Sequence, residues 1–249
     1  MAWMGALAIG LSLGLLGSGG SILTVPVLIF LVGESEKVAI AESLGIVGGI
    51  AMVAAVPFAI RGLVAWRTVA VFGIPGMAGA YLGATLSRYI SGPAQLTLFA
   101  IIMLVAAILM FRPPALPRGG AGTRPRAPWK IAMDGLLVGV VTGLVGVGGG
   151  FLIVPALVLL GGLSMQLAVG TSLAIIALKS FTGFARYLEV LAAMGLSVNW
   201  QLIGTFTLVG ALGTLLGNWI GGRVPQQRLR EVFAVLLVVM GAFVLYTSL

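Results

Sequence analysis

Gly146-Val147-Gly148-Gly149-Gly150-Phe151-Leu152-Ile153-Val154-Pro155 decides the reading of this chain, because it occurs twice. Its twin is Gly17-Ser18-Gly19-Gly20-Ser21-Ile22-Leu23-Thr24-Val25-Pro26, 129 positions earlier. At that one shift, without a gap, identities run from Gly10, Gly14 and Leu15 through the motif to Ala39, Ser43, Leu44 and Ile46. Chance does not hold register over such a run. The chain is two copies of one unit, each with a glycine-rich break near its start.

The surroundings of the breaks are apolar. Apolar residues make up 60% of the sequence, charged residues 8%, and the mean hydropathy is +1.18; soluble domains carry about 25% charged residues. This composition is that of an all-α polytopic membrane protein. Cysteine and histidine are absent from the sequence, which removes disulfides, thiol nucleophiles and histidine acid–base or metal chemistry. The six acids are Glu34, Glu36, Glu42, Asp134, Glu189 and Glu231, and no two share an apolar segment. A paired-carboxylate enzyme has little to be built from, so no catalytic residue, metal ligand or cofactor is expected. The +8 balance reflects basic residues gathered in short loops, not a nucleic-acid surface.

Residues 2–33 are too long for one crossing, at about 48 Å as a helix, and too short for two, which need about 40 residues. Two half-helices meeting at Gly17–Ser21 fit the length. Spans are expected at 38–60, 68–87 and 94–111, then a Pro-, Gly- and Arg-rich linker at 112–130. The second unit repeats the plan: a broken element over 131–162, then spans at 165–186, 201–221 and 232–248. Gly62 and Trp66 match Gly195 and Trp200 with one inserted residue, and the Gly76, Gly79, Gly83 ladder matches Gly210, Gly213, Gly217. The domains are therefore repeat 1 at 1–111, the linker, and repeat 2 at 131–249.

If each broken element returns to its own side, the copies are inverted. With the linker in the cytoplasm, inversion puts ten basic residues inside and three outside, whereas parallel copies give eight and five. The positive-inside bias favours two inverted repeats, each a broken or re-entrant first element plus three spans, with both termini outside.

Glycine clusters at helix starts expose backbone N–H groups beside the positive end of a dipole, which suits a small anion. The candidate site is Gly17, Ser18, Gly19, Gly20 and Ser21 in the first copy and Gly146, Val147, Gly148, Gly149 and Gly150 in the second. Ser43, Thr171 and Ser172 fall close after the second half-helices and are expected to line it. Lys179 is the basic residue deep in a span, opposite Ile50 in the repeat, and is expected to contact the anion or gate its site. The plainer uses of Lys179 are snorkelling or pairing with Glu42 or Glu189. Glu42 is the carboxylate inside a span and a candidate for coupling to a proton or ion; capping is its plainer use. Arg186 and Glu189 are spaced to pair at the surface. Trp66 and Trp200 read as interfacial belt residues.

The doubled G-x-G-G-[GS]-x-[LI]-x-[VT]-P motif, the basic central linker and the glycine–tryptophan turn resemble the TauE/SafE family, sulfite exporter-like proteins also called the toluene sulfonate uptake permease family. The resemblance covers both halves. The family pattern falls on Gly17, Gly19, Gly20 and Pro26, and on Gly146, Gly148, Gly149, Gly150 and Pro155; Ser21 departs where the second copy has Gly150. It implies transport of small sulfur-containing anions, such as sulfite, sulfoacetate or other organosulfonates, across the bacterial inner membrane. The expected mechanism is alternating access with the half-helix tips converging near the midplane. The alternatives are a carrier of another small anion, a cation or a neutral solute, and a membrane accessory protein in which the glycines only pack helices.

Overall fold

The computed structural model describes residues 2–16, 20–111, 128–146, 150–157, 163–221 and 226–248. They form helices joined by short turns, with no strand among them. The first half holds α1 (Ala2–Leu16), α2 (Gly20–Val27), α3 (Glu36–Ile60), α4 (Trp66–Tyr89) and α5 (Gly92–Phe111). The second holds α6 (Pro128–Val145), α7 (Gly150–Pro155), α8 (Met165–Ala193), α9 (Trp200–Gly221) and α10 (Gln226–Ser248). Five of these carry stretches long and apolar enough to cross a membrane: Glu36–Ile60, Trp66–Tyr89, Pro128–Val145, Gln166–Ala193 and Trp200–Ile220. α6 begins three residues inside the expected linker. α8 runs seven residues past the expected end, because Arg186 is accommodated within it by Glu189, the Thr85 hydroxyl at 2.9 Å and the Tyr81 ring.

Local chemistry sets the helix ends. Pro26 lacks an N–H to continue α2, and the backbone passes into a wider π turn at Leu28–Val32 that stops at Gly33, with φ of 89°. Gly62 and Gly195 take the same left-handed φ, 69° and 71°, at equivalent turns. Each lets the next residue's N–H reach back over the helix end: Leu63 to the Phe58 carbonyl at 2.8 Å, and Leu196 to the Leu191 carbonyl at 2.9 Å.

The first break closes a hairpin. A Cβ on Gly20 would stand 2.2 Å from the Ile9 carbonyl oxygen and 2.7 Å from Leu13 Cβ, while one on Gly5 would meet Val27. α2 therefore runs back along α1, and the chain returns to the end from which it set out.

The halves are interlocked. α1 packs on α9, and its counterpart α6 packs on α4. Both contacts are backbone to backbone: a Cβ on Gly10 would lie 2.0 Å from the Gly210 oxygen, and one on Gly79 would lie 2.2 Å from the Leu136 oxygen. Small residues permit that approach, which replaces the hydrophobic drive that lipid does not supply. The Thr214 hydroxyl reinforces the first contact by donating to the Gly10 carbonyl at 3.0 Å. The counterparts α3 and α8 pack against each other at the centre and run in opposite directions, since Gly45 faces Phe184 while Gly48 faces Ser180. α5 and α10 pack together as the remaining matched pair.

Candidate functional site

Of the two glycine motifs, Gly20, Ser21, Gly146 and Gly150 belong to the described structure; Gly17, Ser18, Gly19, Val147, Gly148 and Gly149 lie outside it. Gly20 is packed into its own hairpin. Gly146 has φ of 73° and presses on α3, where a Cβ would stand 2.0 Å from Ile40 Cγ2. Here glycine is required both by the backbone and by the neighbour. Ser21 is fully buried.

The tips themselves, 17–19 and 147–149, lie outside the described residues. Lys179 is the central residue of α8, and it lies beside Gly76 of α4. α4 and α6 run parallel, with Gly76 facing Gly135 and Gly83 facing Val140 and Leu144. Seven residues at 1.5 Å each carry the end of α6 about 10 Å beyond the Lys179 level. The first hairpin does the same in the opposite sense: Gly210 of α9 meets both Ile50 and Gly10, and Gly20 and Leu13 lie beyond that level. The arms have 15 and 18 residues, about 22 and 27 Å as helices. α2 and α7 touch one another.

The end of α6 is held by three side chains from elsewhere in the chain. The Gln95 amide and the Tyr187 hydroxyl both donate to the Leu144 carbonyl, the latter at 3.0 Å, and Gln95 also donates to the Tyr187 oxygen at 3.0 Å. The Ser43 hydroxyl bonds to the Gly146 carbonyl. The last carbonyls of a helix have no internal donors and carry its negative dipole end; these bonds satisfy them. The sequence singled out Ser43, as a residue expected to line the site, and did not single out Gln95 or Tyr187. Their signal was one amide and one phenol in otherwise apolar spans, with Phe58 at the Tyr187 position of the other repeat.

Lys179 is 1% exposed, and its ammonium has no hydrogen-bond partner among the described residues. It pairs with neither Glu42 nor Glu189. The hydroxyl of Ser180, the next residue, is likewise buried and unpartnered. A charged lysine at the centre of a span costs about 2.5–3.5 kcal/mol on insertion scales, and nothing described here offsets that.

Glu42 and Thr171 occupy equivalent positions and do equivalent work. The Asn199 N–H, at the start of α9, donates to Glu42 Oε1 at 2.7 Å; the Ala65 N–H, at the start of α4, donates to the Thr171 hydroxyl at 2.9 Å. Each caps a helix N-terminus across the repeat boundary. The second oxygen of Glu42 is buried without a partner among the described residues. The Ser172 hydroxyl turns back to the Val169 carbonyl of its own helix at 2.8 Å, as Ser43 does to Ile40 at 2.9 Å. The structure thus joins Ser43 to the second break, takes Glu42 and Thr171 to the helix starts, and leaves Lys179 and Ser180 between these levels. Among the described residues no group of three or more acids comes together as a metal cluster.

A first hairpin that turns back on itself, interlocked repeats and a buried lysine without a partner among the described residues suit a membrane carrier. The sulfite exporter TauE/SafE family profile matches residues 2–244. The chain belongs to that family. Relatives of this TauE/SafE chain include a probable membrane transporter protein of Xylella fastidiosa, 33% identical over 96% of this chain and 92% of the relative. The probable membrane transporter protein YunE of Bacillus subtilis is 26% identical over 94% and 93% of the two chains. A probable membrane transporter protein of Methanocaldococcus jannaschii is 26% identical over 95% and 93%. No solved structure gives a significant match to this TauE/SafE chain.

Proposed function

We propose that this protein is a secondary transporter, an exporter of small sulfur-containing anions such as sulfite or organosulfonates across the bacterial inner membrane. The observation that carries the reading is the buried Lys179 ammonium at the centre of α8, which has no partner among the described residues. The backbone N–H groups of Gly17–Ser21 and of Gly146–Gly150, with the Ser18 and Ser21 hydroxyls, serve as two half-sites, one toward each face. Lys179 holds the anion between them, with Ser43, Thr171 and Ser172 shaping the approaches.

Alternating access by rocking of one repeat against the other requires repeats of opposite orientation. The antiparallel course of α3 and α8 and the return of the first hairpin support that reading. So does the distribution of basic residues, which puts the linker in the cytoplasm and both termini outside. A coupling proton or ion completes the cycle, and Glu42 is the buried carboxylate available for it. The second reading is a packing role for the motifs, favoured by the tight seats of Gly20 and Gly146.

Purified protein in liposomes loaded with sulfite decides between them. The transport reading predicts exchange of labelled sulfite across the membrane in proportion to protein; flux no faster than in empty liposomes would leave only the packing reading.

A further inference from the structure

The charge inventory around Lys179 bears on which anions pass. Its ammonium is buried at the centre of α8, and the adjacent Ser180 hydroxyl is buried too; both lack partners among the described residues. The equivalent position in the other repeat is Ile50, which fills the matching contact with Gly210 without charge. The charges of α3 and α8 nearest to it lie toward the helix ends and are committed. Lys37 spends its ammonium on the Ser87 and Ile90 carbonyls at the end of α4, Arg186 on Glu189 and Thr85, and Glu42 on the Asn199 N–H. Asp134, half-buried near Gly135, does not bond to Lys179. Whatever its protonation before binding, Lys179 supplies at most one positive charge.

Resting on the transport reading above, we infer that the central site accepts monoanions and rejects dianions: one sulfonate or hydrogen sulfite group on the Lys179 ammonium, with Ser180 as a neutral donor. A second negative charge at that depth finds no counter-charge among the described residues, and an uncompensated charge in low dielectric is excluded far more strongly than a paired one. A neutral isostere leaves the ammonium unpaired and is also disfavoured. The substrate class narrows accordingly to hydrogen sulfite and monosulfonates; sulfoacetate, with its extra carboxylate, falls outside it.

The test uses three small tetrahedral sulfur compounds that differ chiefly in charge: neutral dimethyl sulfone, singly charged methanesulfonate and doubly charged sulfate. Each competes against labelled-sulfite counterflow in liposomes carrying the full chain. The expected result is that methanesulfonate competes at least about tenfold better than either of the others, and that Lys179→Arg keeps this order. In Lys179→Met the advantage of methanesulfonate over dimethyl sulfone disappears. Sulfate competing as well as methanesulfonate in the wild type overturns the inference while leaving transport intact. Absence of any sulfite flux overturns the transport reading beneath it. The wild-type order decides even where Lys179→Met fails to insert.

Discussion

Lys179 lies along Gly76, its Cδ 3.0 Å from where a Cβ on that glycine would stand. The counterpart pair, Ile50 and Gly210, makes the same contact more tightly, with Ile50 Cδ1 2.3 Å from the corresponding point. One contact therefore occurs twice, once with a charge in it. Gly76→Ala asks the flexible stem of Lys179 and, at 3.3 Å, the Gly135 carbonyl oxygen to yield by a few tenths of an ångström. It is expected to leave the fold intact, costing below about 1 kcal/mol, while displacing the ammonium and slowing anion exchange. Gly79→Ala meets the Leu136 carbonyl oxygen at 2.2 Å, which is backbone and cannot turn aside. It should destabilise by about 1–3 kcal/mol or more. Thermal unfolding in detergent, set beside liposome flux, separates the two variants.

Glu42 and Thr171 cap helix starts, so the charge of Glu42 is dispensable for that task. Glu42→Gln retains an oxygen for the Asn199 N–H and should unfold close to the wild type. Glu42→Leu and Thr171→Val lose their caps and should cost about 0.5–2 kcal/mol each. Flux measured with and without a pH gradient adds the second readout. Glu42→Gln sparing counterflow while abolishing gradient-driven flux would make this carboxylate the coupling group.

Gln95, Tyr187 and the Leu144 carbonyl form one buried network at the end of α6. Tyr187→Phe removes a donor from that carbonyl and should destabilise by about 1–3 kcal/mol. Gln95→Leu should cost a similar amount, and the double variant should cost less than the sum, because members of one network are not independent. Additive losses in a thermal double-mutant cycle would show that the two side chains act separately.

The orientation of the halves is open to labelling against a silent background, because the chain has no cysteine. Single cysteines replacing Arg118 in the linker and Arg61 should react with an impermeant thiol reagent only from the cytoplasmic side. Cysteines at Glu34 and Leu196 should react from the outside. With the linker cytoplasmic, reaction of Leu196→Cys from the cytoplasm would mean that the repeats share one orientation.

The sequence made the duplication and the helical membrane fold legible, since both are written in residues close together: a doubled glycine motif and long apolar runs. It also marked Lys179, because a lysine is conspicuous in a span. It did not show that α1 packs on α9 and α6 on α4, since glycine ladders say that helices approach closely and not which ones. The bond from Gln95 to Leu144 crosses 49 positions and that from Asn199 to Glu42 crosses 157; no local period carries such information. The depth of the hairpin tips depended on whether the arms lie end to end or side by side. Gly20 against Ile9 answers that for the first hairpin.

Lys179→Met in a sulfite counterflow experiment tests the central claim most directly. Methionine keeps the length and apolar bulk of the stem beside Gly76 and removes the ammonium, so the protein should insert and unfold at least as well as the wild type. Exchange should fall by at least about tenfold. Exchange at the wild-type rate, from a variant inserted in equal amount, would contradict the account, because the charge at the centre of α8 would then have no part in moving the anion.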